Sequence, residues 1–276
     1  MLEPLIDIFT KLKKWLFARK NKIKLKPMGG EKLRETATES LESLHTHEEG
    51  FRMQSLDHIK QNARLYEHYA MSAISMNIIH ALAITHQEIS EDELTIQKLG
   101  LRLFNNGATA IKLGLTGYYQ RALDIIRDSI ELVFLLDYFL TWPEQISVWS
   151  KASSKERKLN FSPVKIREAL DSRDGFTEKK RHETYSIFSE YATHASFDGF
   201  KLLVSKETNL HNIGPFSDVT LLDTTMCELA RHQCYAAAVF ILHFPNTTKE
   251  ISDGKDGFFL YAHDWRVKYN APLKYQ

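Results

Sequence analysis

The stretch RALDIIRDSIELVFLLDYFLTWPEQ, residues 121 to 145, sets Arg121, Asp124, Arg127, Asp128 and Glu131 in an otherwise apolar segment. On a helix these five and Gln120 gather within roughly a third of the circumference, Arg121 at the edge, and apolar residues fill nearly everything else. Guanidinium groups hold phosphate or carboxylate oxygens in pairs, and a neighbouring carboxylate accepts protons. Arg127 and Glu131 are therefore candidate catalytic residues, and Arg121 and Asp124 candidate binding residues. The same charges can also neutralise one another. Arg127 and Glu131 stand at i, i+4, and Asp124 and Asp128 are the other partners within reach of Arg127. In that case the stripe is an internal ion-pair network that fixes helix register.

A polar cleft needs a second helix, and YSIFSEYATHAS is the best candidate. Tyr185, Ser189 and, with a slight turn, His194 lie near one face of it. His194 precedes the small pair Ala195 and Ser196 at a helix end, where the negative end of the dipole favours an imidazolium. Arg121 or Arg127 would then hold a phosphate, His194 would serve as general acid or base, and Tyr185 and Ser189 would bind.

Positioning these groups falls to helices, because strand signals are almost absent. The apolar spacing predicts helices over about 31–46, 51–87, 91–115 and 117–141. Pro143 fits the first helical position of a helix running to about 157, and Ser162 with Pro163 behind it starts another. Thr177 is the expected cap of a helix over about 178–195, and Ser217 of one over about 218–244 that Pro245 ends. VSKETNLHNIGPFSD is a polar, turn-rich insertion with the option of a hairpin. Gly100, Gly107, Ala108, Ala110 and Gly114 mark the 91–115 helix as one that another helix approaches closely. The expected architecture is all-α: a multi-helix bundle over 31–245, an N-terminal amphipathic helix and linker over 1–30, and an irregular C-terminal tail over 246–276. The aromatics Phe258, Phe259, Tyr261 and Trp265 of the tail pack back on the bundle.

Composition narrows the class. The chain has 276 residues, 43% hydrophobic and 26% charged, with net charge +1, which suits a water-facing protein with a real core. Cys227 and Cys234 are the only cysteines, spaced too far apart for a local disulfide or a metal knuckle, which favours a reducing, cytoplasmic compartment. No run reaches the roughly 18 apolar residues of a membrane span, and the N-terminus lacks the order of a signal peptide. That N-terminus is strongly basic, and Leu5, Ile8, Phe9, Leu12, Trp15 and Leu16 form one stripe with Lys11 and Lys14 behind it. Leu12, Trp15, Lys11 and Lys14 are thus candidate contacts for a partner protein or a twin chain in a homo-oligomer. They suit equally an anionic membrane surface, which would place the protein at the inner face of the membrane, or the phosphates of a nucleic acid. His45, His47, Glu48 and Glu49 read as a solvated helix end, and no metal is assigned. A phosphate loop, a GxSxG elbow and an HExxH motif are all missing, so no cofactor is assigned.

ALDIIRDSIELVFLLDYFLTWPEQ, followed by YSIFSEYATHAS and then NIGP, resembles a poorly characterised bacterial all-α family. That family has an R-x-x-x-E helix, a following D/P-E helix and a Y-x-x-x-S helix ending in His. The likeness covers about residues 95–245, and the step from Tyr185 to His194 is one residue longer than in the family pattern. Such proteins look like distant relatives of HEPN-type bundles, which include ribonucleases of toxin and phage-defence systems. The resemblance implies a bundle of that type acting through RNA or protein contacts, with RNA cleavage as one outcome. A non-catalytic structural or adaptor protein is the alternative. The HEPN pattern of Arg, four to six residues, then His is met by Arg52 and His58 in RMQSLDH. In the 218–244 segment Arg231 and His232 lack that spacing.

Overall fold

The computed structural model describes residues 30–85, 90–245 and 248–269. The N-terminal helix expected over residues 1–29, with Lys11, Leu12, Lys14 and Trp15, lies outside the described residues. The chain divides into two compact units, Met1–Thr46 and His47–Gln276. The described part of the first unit is the start of helix α1, Gly30–Gln61, in which Thr36 and Thr38 return hydrogen bonds to the carbonyls of Lys32 and Arg34.

The second unit is all-α. After the rest of α1 come α2 (Ala63–Thr85), α3 (Glu91–Leu115), α4 (Tyr119–Thr141), α5 (Gln145–Lys151) and α6 (Ser154–Asn160). They are followed by α7 (Pro163–Arg173), α8 (Lys180–Phe188), the short α9 (Phe197–Phe200), α10 (Val219–Ile241) and α11 (Lys249–Tyr269). Among the described residues no strand forms, and the polar insertion closes on a single antiparallel bridge between Val204 and His211. No helix of the described residues is long and apolar enough to cross a membrane.

The core is a four-helix arrangement of α2, α3, α4 and α10, with α7 and α8 laid against α4 and α11 against α2. Close approach of α3 and α10 is built on glycine. A Cβ at Gly100, Gly107 or Gly114 would lie 2.3 Å from the Phe240 ring, 2.0 Å from Gln233 Nε2 and 2.8 Å from Met226 Cε. Both series step by seven residues in opposite directions, so the two helices run antiparallel in heptad register. Ile126 and Ile130 join Leu222, Met226 and Leu229 in the core, and Leu132, Leu136 and Phe139 join Phe240 and Phe244.

Several boundaries differ from the sequence reading, each for a local reason. The break expected near 47–50 falls instead at Asn62, whose Oδ1 accepts from the Leu65 N–H at 3.1 Å and starts α2. Gly50 sits inside α1 in open space, where its only cost is propensity. The helix expected over 143–157 is two helices, because Ser153 and Glu156 form a capping box that starts α6. Thr177 caps nothing: α8 begins after Lys179, which is left-handed at φ 42. Asp218, not Ser217, caps α10 by accepting from Leu221 N at 2.9 Å.

The segment read as an irregular tail is helical over Lys249–Tyr269. Phe258, Ala262 and Trp265 are buried there, and the Lys255 ammonium donates to the carbonyl oxygens of Phe244 (2.6 Å) and Pro245 (3.3 Å). Burial of an apolar face outweighs the two turn-favouring glycines of DGKDG.

Candidate functional site

The polar stripe of α4 divides into three groups, each facing a different neighbour. Toward α3, Asp128 accepts from Arg102 Nη2 and from Asn106 Nδ2, both at 2.7 Å. At its N-terminal end Asp124 accepts from Thr193 Oγ1 at 2.6 Å and pairs with Arg121 at 3.4 Å, where Arg121 is largely exposed. Neither aspartate pairs with Arg127. Gln120 donates to the carbonyls of Tyr191 and Gly199 and ties α4 to the segment after α8.

The middle group brings together residues from two helices. Arg127 donates from Nη2 to Glu131 Oε1 at 2.8 Å and to the Tyr185 hydroxyl, and from Nε to Ser189 Oγ at 3.2 Å. Tyr185 in turn donates to Glu131 Oε1 at 2.8 Å. The Arg127 and Glu131 side chains are 23% and 26% exposed, so the group is neither sealed nor fully solvated. Glu131 Oε1 takes two hydrogen bonds, while Oε2 takes none from a described residue.

Ser189 stands one turn after Tyr185 on the same helix face, so both reach Arg127, and from Ser189 onward the chain changes helix type. Residues Ser189–Thr193 form a π-helical turn, closed by the His194 N–H donating to Ser189 O at 2.8 Å. A π turn holds one more residue than an α turn and rotates the residues beyond it about the helix axis. His194 accordingly leaves the helix in an extended conformation, its side chain exposed and without a hydrogen bond to Arg127, Glu131 or Tyr185. Arg127, Glu131, Tyr185 and Ser189 are joined in one network, and His194 stands outside it.

Sequence reasoning missed the residue that gives this group its charge. Helix α7 starts where Ser162 Oγ accepts from Lys165 N and Pro163 occupies the first turn. Its inward face then carries Ile166, Arg167, Leu170 and Asp171, all buried. Arg167 is only 4% exposed, and its guanidinium carbon lies 4.2 Å from the centre of the Tyr185 ring, as Arg127 lies 4.7 Å from it. Its Nη1 is sealed from solvent without a hydrogen-bond partner, and no described carboxylate pairs with it. Arg102 balances Asp128, Arg121 balances Asp124, and Arg127 balances Glu131. Arg167 is the arginine of this group with no described carboxylate at ion-pair distance.

A second cluster was also missed, and its role is structural. Arg181, fully buried, meets Asp171 at 2.8 Å, Asp137 at 3.7 Å and Asp174. Arg173 donates to both oxygens of Asp137, at 2.7 and 3.2 Å, and to Asp174. The hydrogen bond from Arg173 is the main reason the Asp174 carboxyl sits below its ordinary range. This network clamps α7 and α8 onto α4 and so holds Arg167 and Tyr185 over the stripe. The sequence signal was Asp137, a lone charge in the apolar run LLDYFL.

Beside Glu131 lies a cavity of about 190 Å³. Its wall is apolar, with Leu135, Trp149 and Phe161, and its polar edge is Arg102, Asp128 and Glu131. Other candidates lead away from chemistry. Arg52 is paired with Glu49 at 2.6 Å. His58 follows it six positions along α1, which turns the two side chains to different faces. Both cysteines lie on α10, and burial pushes the Cys234 thiol up to about 11. Among the described residues no group of three His, Cys, Asp or Glu could hold a metal.

Comparison of the chain with family models, with curated proteins and with solved structures gives no match.

Proposed function

We propose that this chain is an RNA-binding helical bundle whose polar site takes a phosphodiester between Arg127 and Arg167. The reading fits the defence or toxin type that the sequence resemblance implies. The observation that carries it is Arg167, a buried guanidinium with no described carboxylate within ion-pair distance and Nη1 without a hydrogen-bond partner. A buried ion costs several kcal/mol and stacking on Tyr185 returns about 2 of them, so an anion at the guanidinium would complete the balance. A phosphate is the anion whose oxygens match two guanidinium forks at once. His194 would take part in cleavage only by swinging in from its exposed position.

The alternative, a structural or adaptor bundle, draws on one observation: Arg127 already has three partners within the protein. The test is anisotropy of a labelled single-stranded RNA, with wild-type protein and Arg167→Met, at low and raised salt, followed by a gel of the RNA. The RNA reading expects salt-sensitive binding that Arg167→Met weakens about tenfold or more, the loss of a charge-assisted contact. Binding that is absent, or indifferent to Arg167, leaves the structural bundle. Shortened RNA that His194→Ala abolishes would add cleavage to binding. Contact of the N-terminal segment with an anionic membrane is a separate proposal, tested by vesicle co-sedimentation of the full chain and of a chain starting at Glu31.

A further inference from the structure

We propose that the cavity beside Glu131 receives a guanine base, so that the site reads a guanine nucleotide; this rests on the phosphate reading of Arg127 and Arg167. The cavity is about 190 Å³. An engineered apolar cavity of about 150 Å³ in another protein holds benzene, so this one suits a planar ring system whose polar edge stays at the mouth. The indole of Trp149 and the ring of Phe161 supply the apolar wall on which a base stacks.

The polar edge chooses which base. Asp128 is occupied on both oxygens, by Arg102 and Asn106. Glu131 Oε1 is occupied twice, by Arg127 and Tyr185. Glu131 Oε2 therefore offers an open acceptor at the cavity mouth. Guanine presents its ring N1–H there, with the exocyclic amine beside it as a second donor. Adenine would turn a ring acceptor toward the same carboxylate. Arg102, whose side chain is 58% exposed at the edge, can donate to the guanine O6 and N7 acceptors. Glu131 faces both the cavity and the Arg127 group, so base and phosphate fall on either side of one residue.

Calorimetric titration of the full chain with GMP, IMP, AMP, guanosine and ribose 5-phosphate tests the assignment. Expected is binding of GMP about ten- to a hundredfold tighter than of AMP, with IMP, which lacks the exocyclic amine, weakened by a part of that factor. Glu131→Gln should erase the preference for GMP over AMP, and the IMP comparison reads the same contact without any substitution. Equal affinities for GMP, IMP, AMP and ribose 5-phosphate would overturn the guanine assignment and leave the phosphate site standing. If no phosphate-bearing probe binds, or binding survives Arg167→Met unchanged, the phosphate reading itself fails. A single-stranded RNA with one guanine, and its inosine counterpart, then separates the sources. Tighter binding of the RNA than of GMP points to a base within a chain and the reverse to a free nucleotide, and either supports the cavity as the base site.

Discussion

Replacing Arg167 by Met should make the protein more stable while removing its anion site. Arg167 is 4% exposed and lacks a paired carboxylate, and its guanidinium carbon lies 4.2 Å from the Tyr185 ring centre. Met preserves most of the length and the apolar contacts of the arginine stem and removes the buried charge. Exchange of imperfectly compensated buried charge for apolar volume is worth about 1–4 kcal/mol, and the stacking lost with Tyr185 takes back up to about 2. Together these ranges span about −1 to +4 kcal/mol and centre on a gain of about 1–2 in phosphate-free buffer, which for a chain of this size raises the melting temperature by roughly 2–8 °C. Added phosphate should act in the opposite sense. At a hundred times its dissociation constant it stabilises the wild type by about 2.7 kcal/mol and the variant by nothing. Scanning calorimetry of both proteins, with and without phosphate, reads all four states. A variant that melts several degrees lower without phosphate, or gains as much from phosphate as the wild type, would refute the reasoning, because Arg167 would then be satisfied within the protein.

The neighbouring buried arginine should behave in the opposite way. Arg181→Met strands the buried Asp171, while Asp174 keeps Arg173, and should cost about 3–5 kcal/mol in urea unfolding, and a midpoint equal to that of the wild type would show the clamp to be dispensable. Gly100→Ala places a methyl 2.3 Å from the fully buried Phe240 ring, so a loss of about 1–3 kcal/mol is expected despite the better helix propensity of alanine, readable as a lower melting temperature. His243 sits under α4 with Nε2 3.0 Å from Leu136 O, and burial pushes its imidazole from 6.5 down to about 4. Above pH 6.5 both folded and unfolded states hold it neutral. As the pH falls from 6.5 toward 4, only the unfolded chain takes the proton, so stability drops by about 3 kcal/mol across that window. His243→Gln, which keeps a donor for Leu136 O, should flatten that part of the pH profile, and an unchanged slope would count against the buried neutral imidazole.

Relations within one or two helical turns were legible from sequence alone. The helix over 91–115 begins and ends where its pattern puts it, because Ser90 and Glu93 form a local capping box. The Arg127–Glu131 pair follows from i, i+4 geometry, and the glycines of α3 announce a close neighbour through what they lack. Which helix supplies each partner was settled by packing alone. Asp128 turned to Arg102 of α3 and Asp124 to Thr193, partners 26 and 69 positions away in the chain. The π turn that carries His194 away from the face of Tyr185 and Ser189 leaves no periodic signal, since one extra residue per turn alters no composition. Helix α11 forms over a turn-like DGKDG because burying Phe258 and Trp265 outweighs local preference. Arg167 reads as an ordinary cation in KIREAL. Its burial against Tyr185 without a carboxylate arises only when α7 and α8 are clamped onto α4 through Asp137, Arg173 and Arg181. Charge type is written in the chain, but whether a charge is paired depends on groups tens of residues away that only the folded structure brings within reach.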